Sequence, residues 1–487
     1  MRSRTMNCKF NLLLFFVYFG ARGLMASAFD AAVFARFKLD YLVSATDFQK
    51  YCTVALLPWS FKPLCGLISD RMPIRGYHKR PYVIAVGILG TGASTVLASV
   101  GVVLPVRLAV LCIFLVSLQI AVTDLLTESE YARVIVNNPS ASASVIAKVW
   151  LCLFAGQILG ASVSGASLPR YTRQIFWLTV PLAAAVCVPA VCGWYDDRVT
   201  PSTPASLHDN GLAYVAVAIA TAAGTLGLST MYGSWQLQLS ACCLSTAMLM
   251  YIATQYLPRT TARCNMYMFL MCILNVQIPG TLDYFYTADE VCVPGGPGFS
   301  LRFFLLATGV IGAAAGAGAV LVFRYSGIKF WEFQSMFCIA TVLRCSAALV
   351  DIALINRWNV RVGLDDTVFF VLGKAVVQPA ILVLEQSPAV LLTSKLCTEH
   401  NESTIYAILA GFQNYGTAVA TVIGTVLANV MQVHLSPTVC TFQYLPHLVA
   451  TANIALPMMC VPLALILLPR GSTSTPSAHF LAAQPIA

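Results

Sequence analysis

The residues best suited to bind a ligand or carry a proton lie inside apolar stretches that are long enough to cross a membrane. Six of the charged residues there are candidates for a site: Lys62, Asp124, Glu128, Arg344, Lys374 and Glu385. A charged side chain within such a stretch is costly, so each is a candidate functional residue. Asp124 and Glu128 are four residues apart and share one helical face. The pair could bind a planar amino-heterocycle, carry a proton, or pair with Arg71 or Arg80, and the sequence leaves these alternatives open.

Arg344 and Lys374 offer two kinds of cation. The planar guanidinium of Arg344 can grip a carboxylate at two points, whereas the ammonium of Lys374 is a mobile point charge. For both, a role in anion binding or in a charge network is favoured over inert ion pairing.

A second set of candidates lies between two apolar stretches, in KPLCGLISDRMPIRGYHKRPY, residues 62 to 82. The spacing G-x-x-x-D-R-x-x-x-x-G-x-x-K-R is formed by Gly66, Asp70, Arg71, Gly76, Lys79 and Arg80. Glycine lets the chain reverse and lets helices approach. The acid and the bases predict charge pairs that lock one face closed and break when it opens. The alternative is a basic loop that only sets membrane orientation, to which an acid would add nothing.

The composition requires a polytopic membrane protein. Hydrophobic residues make up 58% of the 487 residues and charged residues 10%, with a mean hydropathy of +0.77. Soluble domains are about half apolar and about a quarter charged. The net charge of +9 is not arranged as a basic stripe with interleaved aromatics, so nucleic acid is not expected as a partner. Most of the 17 cysteines lie in apolar runs, which predicts packing residues rather than a disulfide framework or a metal site.

Fourteen stretches have the length, about 17 to 25 residues, that a bilayer span needs. They are 11–34, 51–69, 82–104, 106–124, 144–168, 173–194, 211–230, 236–256, 264–282, 301–323, 331–354, 366–390, 404–430 and 446–468. Fifteen flanking basic residues on one side against eight on the other predict a cytoplasmic N-terminus. The first stretch also resembles a signal peptide that ends near Ala26 to Ala28, but a retained span is favoured because the apolar run resumes after Arg22.

An internal repeat predicts how the spans are grouped. Gln157 and Gly160 recur as Gln413 and Gly416, 256 positions later. Two six-helix halves, 1–195 and 264–470, would then flank a linker with a possible extra helix pair, 196–263, and a disordered inner tail, 471–487. Six-helix halves around a central cavity are typical of secondary transporters. The predicted fold is therefore all-α and major-facilitator-like, with 12 to 14 transmembrane helices.

Four motifs resemble the folate-biopterin transporter family of the major facilitator superfamily, in its protozoan-like branch. They are LPWSFKPLCGLISDRMPIRGYHKRPYV (57–83), TDLLTESEYARVI (123–135), DYFYTADEVCVPGGPGFS (283–300) and SKLCTEHNESTIYAILAGFQNYG (394–416). In the family pattern, the matching positions are Lys62, Pro63, Gly66, Asp70, Gly76, Arg80, Asp124, Glu128, Ala410, Gly411, Asn414 and Gly416. The chain departs from the pattern at Ser387-Pro388 and at 398–400, which could mark a different substrate preference.

The resemblance implies import of folate or biopterin-type pteridines, coupled to protons, by alternating access in the plasma membrane. A folate anion would be held by Arg344 or Lys374 and a pterin ring by Asp124 or Glu128, with Tyr284 or Tyr415 available for stacking. Glu385 and Asn414 are further candidates for binding or coupling. No cofactor, metal or enzymatic activity is expected, and the sequence has no nucleotide-binding motif. The alternatives are a major-facilitator transporter of another small organic solute and a membrane sensor without transport.

Overall fold

The computed structural model describes residues 2–137, 142–197, 207–327, 331–396, 402–436 and 440–471. Among these residues, thirteen helices are long and apolar enough to cross a membrane. Six form an N-terminal group: α1 Cys8–Asp40, α2 Ala45–Arg71, α3 Arg80–Val103, α4 Val106–Val134, α5 Ser144–Ser167 and α6 Thr172–Val191. Two form an insert: α7 Gly211–Tyr232 and α8 Trp235–Tyr256. Five belong to a C-terminal group: α9 Arg259–Tyr286, α10 Leu301–Tyr325, α11 Phe333–Ile355, α12 Asp366–Leu396 and α14 Leu445–Leu467.

The sixth long helix of the C-terminal group is α13, Glu402–Val430, with 29 residues. A rise of about 1.5 Å per residue makes it about 44 Å long, enough to cross a bilayer. Gln413 and Asn414 at its middle make it more polar than the other long helices. All fourteen predicted spans thus correspond to long helices, and the all-α, polytopic prediction is confirmed. Residues 198–206 of the predicted linker, 398–400 and the predicted tail from 472 lie outside the described residues.

Glycines at repeat-related positions pack equivalent helices together. A Cβ atom on Gly160 of α5 would lie 2.5 Å from the carbonyl oxygen of Leu24 in α1. A Cβ atom on Gly416 of α13 would lie 3.0 Å from the carbonyl oxygen of Phe269 in α9. The fifth helix of each group therefore lies directly against the first helix of that group, and only glycine fits at both contacts.

The helices α2 and α9 are both broken, and each of these breaks is bonded by an amide from the other group. In α2, a 3-10 segment Leu57–Trp59 interrupts the α-helix, and Asn414 Nδ2 donates to the carbonyl of its last residue at 3.1 Å. In α9, the α-helix stops at Leu274 and resumes at Pro279. Gln49 Nε2 donates at 2.9 Å to the carbonyl of Gln277 inside that gap. The groups therefore meet where their helices are interrupted.

The insert lies on the seam between the two groups. Gly227 of α7 faces Leu57 of α2, and a Cβ there would be 2.6 Å from the leucine side chain. Ser245 of α8 shares a 2.5 Å hydrogen bond with the hydroxyl of Tyr415 in α13. Both groups therefore contact the same helical pair.

The two ends of the bundle differ. We call the end that holds residues 72–79 the loop end and the opposite end the far end. At the far end, strands β1 His434–Leu435 and β2 Cys440–Thr441 pair antiparallel, and a Cys292–Cys440 disulfide ties β2 to the loop between α9 and α10. For these two cysteines the prediction of packing residues is wrong, because both lie in polar loops rather than in apolar helices. The 14 other cysteines in the described residues are free thiols.

Candidate functional site

Four charged side chains meet inside the N-terminal group. Lys62 Nζ lies 2.5 Å from Asp124 Oδ2 and 2.9 Å from Glu128 Oε2. Arg22 Nη1 lies 3.1 Å from Asp124 Oδ1. The Asp124 side chain is fully buried and that of Lys62 is 3% exposed, so water hardly reaches these ions. We call Arg22, Lys62, Asp124 and Glu128 the N-terminal ion network.

The break in α2 places both a ring and a cation in this network. The Trp59 ring lies 4.6 Å from Arg22 Cζ and 4.7 Å from Lys62 Nζ, within the range of a cation–π interaction. The α-helix restarts at Lys62, followed by Pro63 in its first turn, where the missing N–H is not needed. The motif LPWSFKP therefore brings the indole and the ammonium to one point.

The network decides which partners the two acids have. They pair with Lys62 and Arg22, not with Arg71 or Arg80 as one alternative proposed. Both oxygens of Asp124 are occupied, so a ligand could reach it only by breaking a buried ion pair. Glu128 uses one oxygen for Lys62, and its other oxygen has no hydrogen bond to the described residues. Of the two acids, Glu128 is the one that can accept a hydrogen bond from a ligand.

A second ionic contact lies inside the C-terminal group. Arg344 Nε of α11 donates to Glu385 Oε1 of α12 at 2.6 Å, and Nη2 donates to the other carboxylate oxygen. Glu385 is 5% exposed and the arginine side chain 26% exposed. The predicted carboxylate grip of Arg344 is therefore already filled, by a carboxylate of the protein itself.

Lys374 belongs to a different cluster, near the far end. Its ammonium lies 5.5 Å from the centre of the Tyr286 ring, and its charge acts on Asp283 of α9. Tyr286 donates to the buried Asp351 at 2.5 Å. Lys374 lies in a π-helical turn of α12, a feature that is frequent at functional sites. The structure does not bring it together with Arg344.

Contacts between the two groups close the far end. Phe34 of α1 packs edge-on against Tyr284 of α9 at 5.9 Å and lies 6.0 Å from Phe304 of α10. Lys38 Nζ donates to the carbonyl of Thr287 at 2.8 Å, and to its hydroxyl. These contacts join the N-terminal and C-terminal groups at the far end.

At the loop end, the predicted gating loop is a tight hairpin. Gly76 has a φ of 81°, which favours glycine, and Ile74 and Tyr77 bond each other's backbone. The Asp197 carboxylate then accepts the backbone N–H groups of residues 78, 79 and 80 at 2.9, 2.9 and 3.0 Å. Burial opposes ionisation of Asp197, but these three donors outweigh it and hold its pKa below the usual value. The segment after α6 thus fixes the start of α3.

One basic side chain of the loop, that of Lys79, pairs with an acid that the sequence did not single out. Lys79 Nζ lies 2.7 Å from Glu130 Oε1 at the end of α4, and Arg80 lies beside Gly193. Asp70 is exposed, and Lys79 is among the side chains whose charge acts on it. A Cβ atom on Gly66 would lie 3.6 Å from Leu125 of α4 and 4.0 Å from Ala407 of α13, which are ordinary contact distances, so the packing there does not require glycine. The ion pair of Lys79 therefore lies within the N-terminal group.

Both tyrosines that were candidates for stacking on a ligand are packed inside the protein. Tyr415 is fully buried against Phe269 and bonded to Ser245, and Tyr284 is 5% exposed with its hydroxyl bonded to the carbonyl of Val43. In this structure both rings are buried. Asn414, predicted as a site residue, instead bonds the break in α2.

Asp30 of α1 is a candidate that the sequence reasoning missed. Its side chain is exposed although it lies within a helix that is apolar enough to cross a membrane, where a charge is costly. Its position within an apolar run was the available signal. Among the described residues, no three His, Cys, Asp or Glu side chains are grouped so that they could hold a metal ion.

In the described part of the chain, fourteen long helices, buried ion pairs in both helix groups and the interruptions of α2 and α9 are typical of one class of protein, the multi-pass membrane transporters of major-facilitator-like fold. Solved structures agree on the fold. A POT family transporter in complex with a thioalcohol-conjugated peptide matches 94% of this chain and 94% of its own, with a TM-score of 0.64 and 14% identity. The human organic anion transporter MFSD10 (TETRAN) matches 95% of this chain and 97% of its own, with a TM-score of 0.51 and 14% identity.

The chain belongs to the BT1 family, whose profile matches residues 22–477. Probable folate-biopterin transporter 2 of Arabidopsis thaliana is 27% identical over 441 residues, which cover 89% of this chain and 77% of that protein. The folate-biopterin transporter of Synechocystis sp. is 24% identical over 406 residues, which cover 82% and 70%. The family is one of transporters, so this chain is a transporter rather than an enzyme, and the predicted resemblance is confirmed.

Proposed function

We propose that this protein imports folate or biopterin-type pteridines together with protons, by alternating access between its N-terminal and C-terminal groups. The observation that carries the proposal is the N-terminal ion network, in which two acids share one buried lysine. Loss or gain of one proton there changes the net charge of a buried site, a change that a transporter can couple to substrate binding. The relatives named for folate and biopterin supply the substrate class.

The two groups are proposed to rock about their common seam. The broken helices and the insert lie at the seam, while the aromatic and Lys38 contacts close the far end. Opening the far end would break those contacts, and new contacts formed as the loop end closes would offset that loss. The glycine pairs at Gly160 and Gly416 keep each group rigid during the movement.

We further propose that the far end faces the outside of the cell and that the N-terminus is cytoplasmic. The Cys292–Cys440 disulfide supports this orientation, because disulfides persist in oxidising compartments. The excess of basic residues on the loop-end side supports it as well.

The test is uptake of labelled folate and labelled biopterin by cells that express the chain, with Asp124→Asn as the variant. The exposed carboxyl of Glu290, in a far-end loop, gives the matched control Glu290→Gln. We expect saturable uptake of at least one ligand that is lost in Asp124→Asn and kept in the control, at equal surface expression. Absence of uptake of both ligands by the wild-type protein would refute the substrate assignment.

Asp70→Asn separates transport from sensing. A transporter with a gating loop should lose flux in this variant while it still binds its ligand, because the substitution acts at the loop end, away from the ion network. Unchanged flux would argue against a gating role for the loop.

A further inference from the structure

The Arg344–Glu385 pair has the geometry of a binding site that is already occupied. The two parallel N–H···O bonds of the pair are those that arginine makes to any carboxylate. A substrate carboxylate would bond the same donors in the same plane. The carboxylate of Glu385 therefore stands where a ligand carboxylate would stand.

The arginine of the pair is partly accessible. The Arg344 side chain is 26% exposed, whereas that of Glu385 is 5% exposed. On α13, which packs against α12, Thr417 is exposed as well and lies between Gln413, which bonds α12, and Asn414, which bonds α2. The guanidinium is therefore the part of the pair that a ligand can contact.

Among the described residues, no cation other than Arg344 bonds Glu385. The titratable groups around it are Tyr267 and Cys272 of α9, Cys345 of α11 and Cys460 of α14, all uncharged in their usual state. On α12 itself, Lys374 and Lys395 are 11 and 10 residues away, which separates them from Glu385 by about 15 Å along the helix. On α10 and α13, which also pack against α12, Arg324 and Tyr406 lie at the loop-end termini. A carboxylate that lost Arg344 would be a buried, uncompensated charge, and it escapes that cost by binding a proton.

We infer that Arg344 is a receptor for a substrate carboxylate, and that Glu385 holds the receptor closed until a proton releases it. In the exchange, two N–H···O bonds from Arg344 to Glu385 break, one proton from water adds to Glu385, and the same donors bond the substrate carboxylate. On release the steps reverse, and the proton leaves Glu385 as it regains Arg344. One negative charge and one proton move together, so this site transports no net charge.

The inference rests on the proposed function and narrows it. Folate carries a glutamate tail with carboxylates, whereas biopterin has none. Only the carboxylated ligand can displace Glu385, so proton-linked binding at this site is predicted for folate and not for biopterin.

The experiment is equilibrium binding to the purified full-length chain between pH 6 and pH 8. For the wild-type protein, the folate Kd should fall about tenfold for each unit of falling pH, the slope of one linked proton, while the biopterin Kd stays level. In Glu385→Gln the folate slope should vanish, and in Glu385→Asp it should persist. Equal slopes for folate and biopterin, or a slope that survives Glu385→Gln, would overturn the inference.

Two further measurements keep the outcomes distinct. If Glu385→Gln does not fold, the double variant Arg344→Gln with Glu385→Gln leaves no unpaired charge and should bind folate no better than biopterin. p-Aminobenzoylglutamate, a carboxylate without the pterin ring, reports on Arg344 alone. Its binding with the one-proton slope, in the absence of pteridine binding, would refute the proposed function and support the inference. Binding of p-aminobenzoylglutamate without that slope, or no binding of it, would overturn the inference.

Discussion

Replacement of Lys62 tests whether this one ammonium stabilises both acids of the N-terminal ion network. In Lys62→Met the stem of the side chain is kept and the charge is lost, so Glu128 remains buried without a cation, while Asp124 keeps Arg22. Breaking a buried pair by removing one partner costs about 3–5 kcal/mol. We therefore expect the free energy of unfolding to fall by that amount.

The double variant Lys62→Met with Glu128→Gln removes the stranded charge as well. Because the remaining Asp124–Arg22 pair at 3.1 Å is intact, the double variant should recover about 2–3 kcal/mol of the loss. The assay is unfolding of the purified protein in detergent by titration with a denaturing surfactant, followed by circular dichroism. Single and double variants of equal stability would refute the reasoning, since Glu128 would then not depend on Lys62.

Three further predictions follow from the packing and from the two ends of the bundle. With a protease site inserted between α10 and α13, inside the loop that the Cys292–Cys440 disulfide closes, the fragments of the wild-type chain should stay linked on a gel without reductant and separate in Cys292→Ser; separation in the wild type would contradict the disulfide. A Cβ on Gly156 would lie 2.2 Å from a carbonyl of α1, so Gly156→Ala should lower the free energy of unfolding by about 1–3 kcal/mol. Gly92→Ala, with nothing within 4 Å of its Cβ, should be neutral. Equal losses of stability would mean that α1 and α5 do not pack tightly at Gly156. The folded pKa of Asp197 is lowered, so its stabilisation is present above the unfolded value of about 3.9 and is lost as pH falls through the folded value. The difference in Tm between wild type and Asp197→Asn should therefore be constant near pH 7 and shrink in acid. A difference that grows in acid would contradict the stabilising role of the Asp197 carboxylate at the start of α3.

The sequence predicted the helices and the charged residues better than it predicted their partners. The cost of burying a charge is enough to identify Lys62, Asp124 and Glu128, because a charged residue in an apolar run is kept only where it has a partner or a function. Their mutual contacts depend on how α2 and α4 pack, which no local pattern encodes. Arg344 and Glu385, 41 residues apart on neighbouring helices, are a similar case.

Other misses had a signal in the sequence. Cys292 and Cys440 both lie in polar loops that the basic-residue count places on one side of the membrane, and this shared location predicts a disulfide better than spacing does. Asp197 follows the last span of the first six, where an acid is out of place among basic flanking residues. Residue type alone suggests that the rings of Tyr284 and Tyr415 stack on a ligand, but tertiary packing buries both rings.

The most direct test of proton-driven pteridine transport is a flux measurement with the purified chain in liposomes. Labelled folate is supplied outside, and an inward proton gradient is imposed with no other energy source. The account predicts accumulation of folate above its outside concentration, which collapses when a protonophore is added. Uptake that only equilibrates, with or without the gradient, would contradict coupling to protons and leave the buried ion networks without the role proposed for them.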